Sequence, residues 1–199
     1  MSRKSPAGLR ERVDVAVRPA RVCDYDVLLA ESDALNAFAD GEAVYLTTGM
    51  LRFAAADVEL QAVIAHELAH NTEGHVDRTI RNALLGGLLG AIVDIAAASQ
   101  GIYADATLSG LEAGAEAFSQ EFEREADYVG IYYLERAGID ASEAATFWRR
   151  MAAENVDSIV YGATHPTSPE RFVNMNAAVA EVRVKREAGE PLLPTRQRR

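Results

Sequence analysis

Five consecutive residues, His66-Glu67-Leu68-Ala69-His70, limit what this chain can become more than any other segment. Around them Leu60, Val63, Ile64 and Leu68 recur at helical spacing, so the region reads as a helix from about Val58 to Val76, with Asp57 as its cap. Four residues advance a helix by about 400°, which places His66 and His70 on one face, a turn apart. A packed face carrying two imidazoles and a carboxylate is costly unless those groups are paired or hold an ion. Two histidines so spaced can share one tetrahedral cation, each ring nitrogen about 2.0–2.1 Å from it. Glu67 leans to the same side, where its carboxylate can take a proton from a water that the ion activates.

The rest of such a site must come from elsewhere in the chain. Of the 199 residues only Cys23 is a cysteine, which excludes an internal disulfide and a cysteine-rich zinc cluster. A catalytic zinc keeps three protein ligands and one open position. The longer H-E-x-x-H-x-x-G-x-x-H pattern would need Gly at 73 and His at 76, where this chain has Glu73 and Val76. His75 lies about 140° around the helix from His70, so it reads as a surface histidine or one set behind the ligands. The remaining candidates are the acids of Glu121-Phe122-Glu123-Arg124-Glu125-Ala126-Asp127, inside a helix read from about Leu111 to Ala137. Glu123 and Asp127 share a face and Glu125 points away. A carboxylate at 123 could complete the metal site, and Asp127 could accept the free N–H of a ligating histidine.

A net charge of −10 argues against a nucleic-acid partner, which requires clustered Lys and Arg. Residues 1–20, with Pro6 and Pro19, read as a poorly ordered lead-in; 21–190 as one domain; 191–199 as a basic tail. The first thirty residues do not read as a secretory leader, because Arg10, Glu11, Arg12 and Asp14 interrupt any apolar run. Arg21 to Leu29 and Ala43 to Thr48 read as strands, with a turn at Asp40-Gly41-Glu42, giving a small antiparallel sheet. Gly101 to Gly110 reads as a loop, Asp140 as the cap of a helix from Ala141 to Asn155, and Ser168 as the cap of a last helix that starts at Pro169 and runs to about Glu187. The fold class is α+β, mostly helical. Ile80 to Ala98 is unusually apolar, and its uninterrupted part, Ala83 to Val93, is short for a bilayer span. It reads as a buried or hairpin-forming segment, with a mobile lid or membrane-touching flap and a true span as alternatives; Asp94 speaks against deep insertion.

His66-Glu67-Leu68-Ala69-His70 followed by Glu123-Arg124-Glu125-Ala126-Asp127 resembles the HtpX and CAAX-prenyl-endopeptidase family of zinc metallopeptidases, which pairs H-E-x-x-H with a later E-x-x-x-D. Asn36-Ala37-Phe38-Ala39 is similar to the family's N-A-F-A element, and His165-Pro166 with Arg171 to its H-P-x-x-x-x-R element. The resemblance implies a zincin-like domain with one zinc ion held by His66, His70 and Glu123, Glu67 as general base, and Asp127 orienting a histidine. It implies His165 near the open position, either polarising the scissile carbonyl or serving as a removable fourth ligand. Arg171 would organise that loop or contact substrate. Asn36 would precede the active-site edge strand, Ala43 to Thr47, whose Val44 and Tyr45 would meet an added substrate strand.

The expected function is zinc-dependent endopeptidase activity in protein quality control. Its partners would be polypeptides, misfolded or from the membrane and envelope, with peripheral membrane contact through 83–93. The resemblance places the chain in the cell envelope, in the soluble branch of the family. Two other classes stay open: a latent or non-catalytic zinc-bound chaperone or adaptor with His165 as fourth ligand, and a metal-free helical interaction domain.

Overall fold

A computed structural model describes residues 25–116, 119–154 and 169–195. These form two compact units. One is built from residues up to Glu73 together with those from Glu123 onward; the other is Gly74–Phe122.

The first unit opens with three strands, β1 (Asp26–Ala30), β2 (Ala37–Ala39) and β3 (Ala43–Thr47), in the order β1-β3-β2. β1 runs parallel to β3, and β2 antiparallel to it, so the sheet is mixed, not antiparallel as the sequence suggested. The cause is the path of residues 31–36. The chain leaves β1 beside Thr47, crosses the end of β3, and returns on the other side as β2. Two hydroxyls hold this crossover: Thr47 Oγ1 lies 2.7 Å from the Ala34 carbonyl, and Thr48 Oγ1 donates to the Ser32 carbonyl at 2.7 Å. The crossing is so close that a Cβ on Gly49 would stand 2.4 Å from the carbonyl oxygens of Asp33 and Ala34. The expected turn joins β2 to β3, with Gly41 at φ +95 and Asp40 Oδ1 accepting the Glu42 and Ala43 N–H groups at 2.8 Å.

Ala43 to Thr47 is therefore the central strand, flanked on both sides, and not an edge. Val44 is fully buried, and Tyr45 stacks on Phe38 of β2 with centroids 4.7 Å apart. Among the described strands, the edges belong to β1 and β2.

A short helix, α1 (Thr48–Phe53), follows β3 and is capped by the Thr47 hydroxyl. The histidine-bearing helix, α2, spans Asp57–Thr72. Asp57 lies inside it; the cap position is Ala56, and Glu59 reaches back to accept the Ala55 N–H at 2.6 Å while pairing with Arg150. α2 stops four residues short of the expected Val76 because Gly74 adopts φ +67, a left-handed conformation that favours glycine. From Ala62 to Asn71 every residue is buried, so α2 is a core helix with no solvent face along that stretch. Around it pack α5 (Ser119–Arg136), α6 (Ala144–Glu154) and α7 (Pro169–Glu187). Asp140 caps a single turn, Ala141–Glu143, that leads into α6. Ser168, the expected cap of α7, lies outside the described residues.

The second unit is a helical hairpin: α3 (His75–Ala98), a turn with Gly101 at φ +75, and α4 (Ala106–Glu116). The segment expected as a loop, 101–110, is thus half helix. Asp94 explains why. Its carboxylate accepts the Ala106 N–H at 2.8 Å, the Thr107 N–H at 2.9 Å and the Thr107 hydroxyl at 2.6 Å, capping α4 from the neighbouring helix. The two helices touch backbone to backbone: a Cβ on Gly86 would sit 2.0 Å from the Gly110 carbonyl oxygen, and one on Gly90 2.0 Å from that of Ala106. The hairpin-forming expectation for 80–98 describes this unit, but its outer face is not buried. Leu84, Leu85, Leu88, Leu89, Ile92 and Ile95 are 57–73% exposed. Among the described helices, α3 is the one long and apolar enough to cross a membrane.

His75 is not at the surface. It is buried and stacks on Phe122, centroids 4.6 Å apart, with Arg78 over the same Phe122 ring. The break at Gly74 resets the helical phase, so an angle counted onward from His70 does not apply.

Because the glycines set the spacing of the hairpin, Gly86→Val is expected to force α3 and α4 apart. Hydrogen exchange should show lost amide protection across both helices, with α2 and α5 unchanged.

Candidate metal centre

His66 and His70 project from α2, and Glu123 comes from α5. The two helices pass closely at Gly130, two turns beyond Glu123 on α5: a Cβ there would lie 3.3 Å from the His66 backbone nitrogen and the Ala65 carbonyl carbon, tighter than an ordinary contact by a few tenths of an ångström. With only a hydrogen at that position, the two helices can come close enough for one to supply the ligand that the other lacks.

The donor atoms converge. His66 Nε2 and His70 Nε2 are 3.1 Å apart, His66 Nε2 and Glu123 Oε2 3.3 Å, and His70 Nε2 and Glu123 Oε1 3.2 Å. A tetrahedral zinc about 2.0–2.1 Å from each ligand separates its ligands by about 3.3 Å. The two histidines meet different oxygens of Glu123; with one ligand atom taken from each residue, the three lie within 4.8 Å of one another, close enough to share one ion, and two imidazoles and one carboxylate are a donor set that catalytic zinc takes. All three residues are buried, as is Glu67, which follows His66 on α2.

A second layer of charge lies behind them. Asp127 Oδ1 is 3.0 Å from His66 Nδ1, which leaves Nε2 of that ring facing the other two donors. Arg171, on the first turn of α7, reaches both acids: Nε donates to Asp127 Oδ2 at 2.7 Å, Nη2 to Asp127 Oδ1 at 2.8 Å, and Nη1 lies 3.0 Å from Glu123 Oε2. Burial pushes the His66 imidazolium toward losing its proton, but the hydrogen bonds and charges of Asp127 and Glu123 outweigh it and raise the pKa to about 10. Burial likewise pushes the Asp127 carboxyl up, and Arg171 with His66 brings it below the usual carboxylate range. The pocket is thus built to attract positive charge.

His66, His70, Glu123, Asp127 and Arg171 are brought together, with Glu67 beside them. Asn36, Val44 and Tyr45 are not part of this cluster. Asn36 supports the crossover, its carbonyl accepting the Thr47 N–H at 3.1 Å and its own N–H donating to Thr47 Oγ1 at 3.2 Å. His165 lies outside the described residues.

Two contributors were not foreseen. Trp148 on α6 sets its ring 5.0 Å from that of His66 and 5.3 Å from the Arg171 guanidinium, walling off the back of the site. Its being the sole tryptophan was the available signal. Asn71, directly after His70, accepts the Gly41 N–H at 2.8 Å and donates to the Ala43 carbonyl at 3.0 Å, tying the ligand-bearing helix to the β2–β3 turn. β2 itself packs on α2.

The family model described as Peptidase family M48 matches residues 5–179. The chain is 31% identical over 175 residues to the beta-barrel assembly-enhancing protease of Escherichia coli, covering 80% of this chain and 35% of that protein. It is 33% identical over 160 residues to the mitochondrial metalloendopeptidase OMA1 of Schizosaccharomyces pombe, covering 78% of this chain and 47% of the other. The chain thus spans between a third and a half of the length of these relatives.

Gly130→Val is expected to wedge α2 and α5 apart. Urea unfolding should register a loss of about 1–3 kcal/mol, and hydrogen exchange should show lost amide protection along α2 and α5.

Proposed function

The chain belongs to peptidase family M48, and on that premise we propose that it is a zinc-dependent endopeptidase acting on polypeptides in protein quality control. The observation that carries the reading is the convergence of His66, His70 and Glu123, one ligand atom from each lying within 4.8 Å of the others in a buried cluster. One zinc ion held by these residues would polarise a water and the scissile carbonyl. Glu67 takes the proton of the attacking water on its carboxylate and passes it to the leaving amine, as general base and then general acid. Asp127 keeps the His66 ring turned so that Nε2 serves as ligand. His165, by its place in the H-P-x-x-x-x-R element, polarises the scissile carbonyl from the open side.

The mixed sheet changes where substrate would lie. β3 already has a strand on each side, so an extended polypeptide adds to the outer edge of β2, at Ala37–Ala39. β2 is also the edge strand followed by the turn that Asn71 ties to α2.

The Escherichia coli relative is named as a protease that enhances beta-barrel assembly, which supports a role toward polypeptides in assembly or quality control, and the Gly74–Phe122 hairpin supports a membrane-proximal setting. Its solvent-facing side is apolar over a wide arc, and from Ala83 to Ala104 the one charge, Asp94, is engaged in capping α4. A helix so broadly apolar calls for a non-aqueous neighbour, and 83–93 would rest in the bilayer surface.

Glu67→Gln is expected to keep its zinc, measured by elemental analysis, while casein cleavage falls by roughly 10²–10⁴-fold. Full activity in that variant would remove Glu67 from the mechanism. If the wild type holds zinc yet does not cut, and His165→Ala does not cut either, the adaptor reading with His165 as fourth ligand takes over. For the hairpin, the wild type should co-float with phospholipid vesicles and a Leu88→Asp/Leu89→Asp variant should not; a wild type that stays in the aqueous layer ends the proposed membrane contact.

A further inference from the structure

Arg171 was expected to organise a loop or to contact substrate. It is only 6% exposed, and its guanidinium is spent on two acids. We infer that Arg171 is the positioning residue of the metal centre: by gripping Glu123 Oε2 and both oxygens of Asp127 at once, it sets the third ligand and, through Asp127, the His66 ring. The inference rests on the metal-centre reading above.

Three features carry it. The first is geometry. Glu123 Oε2 is held by Arg171 Nη1 at 3.0 Å, which leaves Oε1 turned toward His70 at 3.2 Å. The anchored oxygen also lies 3.3 Å from His66 Nε2, so the arginine fixes the carboxylate with one oxygen toward each imidazole. The second is charge. Glu67, Glu123 and Asp127 are all at most 3% exposed, and Glu123 and Asp127 stand one turn apart on the same face of α5. Like charges so placed repel, and Arg171 is the permanent cation that lies against both. Without it the two carboxylates would be driven apart, and Glu123 would no longer be held toward the histidines. The third is the seat of the guanidinium, 5.3 Å from the Trp148 ring, which also faces His66. The indole keeps the arginine and the histidine against one wall.

The planar fork matters as much as the charge. Three nitrogens, Nε, Nη1 and Nη2, meet three oxygens of two separate carboxylates. A lysine ammonium has no such fork, so Arg171→Lys keeps the charge but cannot hold both acids in register.

The test measures zinc dissociation constants, by competition with a chromophoric chelator, on chelator-stripped protein. It compares wild type, Arg171→Lys, Asp127→Asn and the double variant Arg171→Met/Asp127→Asn, each checked for folding by circular dichroism and by its metal-free unfolding midpoint. Arg171→Lys should bind zinc roughly 10–100-fold more weakly and, saturated with cobalt in place of zinc, show an altered visible spectrum from changed ligand geometry. The double variant, in which one of the acids is neutral and the fold is under less charge strain, should bind more weakly than Asp127→Asn alone, because the direct hold on Glu123 is also gone. Zinc affinity and cobalt spectrum unchanged in Arg171→Lys, or a double variant no weaker than Asp127→Asn, would overturn the proposal, whatever the effect on the unfolding midpoint. A wild type that takes up no zinc would overturn the metal-centre reading itself, and this inference with it.

Discussion

The structure turns on the burial of charge along one helix. α2 has no solvent face between Ala62 and Asn71, yet that stretch carries His66, Glu67 and His70. Groups of this kind taken out of water must find partners or change protonation state. Much of what surrounds α2 answers that demand: α5 supplies Glu123 and Asp127, α7 supplies Arg171, and α6 closes the wall with Trp148. The polar cluster draws these helices together, and at Gly130 two of them pass with little room for a side chain.

The same reasoning explains what could be read in advance. His66, His70, Glu123 and Asp127 were legible because helical periodicity is local: residues four apart share a face whatever surrounds them. The last helix, from Pro169 to Glu187, was legible for the same reason, through its proline start and its uninterrupted run. The antiparallel sheet was misread because strand direction is decided by a connection, and Asn36-Ala37-Phe38-Ala39 has too little β-branched character to announce a third strand. Once β2 exists, β3 must be central. His75 was misplaced because one left-handed residue, Gly74, cancels the phase on which its angle was reckoned. Arg171 could be tied to the motif but not to its partners, since these lie 44 and 48 positions earlier and only tertiary packing brings them in.

The Gly74–Phe122 hairpin follows a different logic. Its glycines permit contact at backbone distance, a type of packing that does not rely on expelling water from large side chains. Its leucines and isoleucines are thereby released to face outward. Asp94, which argued against insertion when seen as a lone charge, proves to be an internal cap whose three bonds belong to the hairpin itself. Composition alone could not distinguish an exposed carboxylate from one already engaged.

The brevity of β2 has a consequence for selectivity. An edge of three residues can offer a visiting strand only a couple of ladder bonds, each worth roughly 0.5–1.5 kcal/mol. Grip so slight would scarcely distinguish one amino-acid order from another, but it would favour a chain that arrives already stretched out over one that must first be unravelled. Under the proposed function, the conformational state of the client, more than its spelling, would then govern which bonds are presented for cutting.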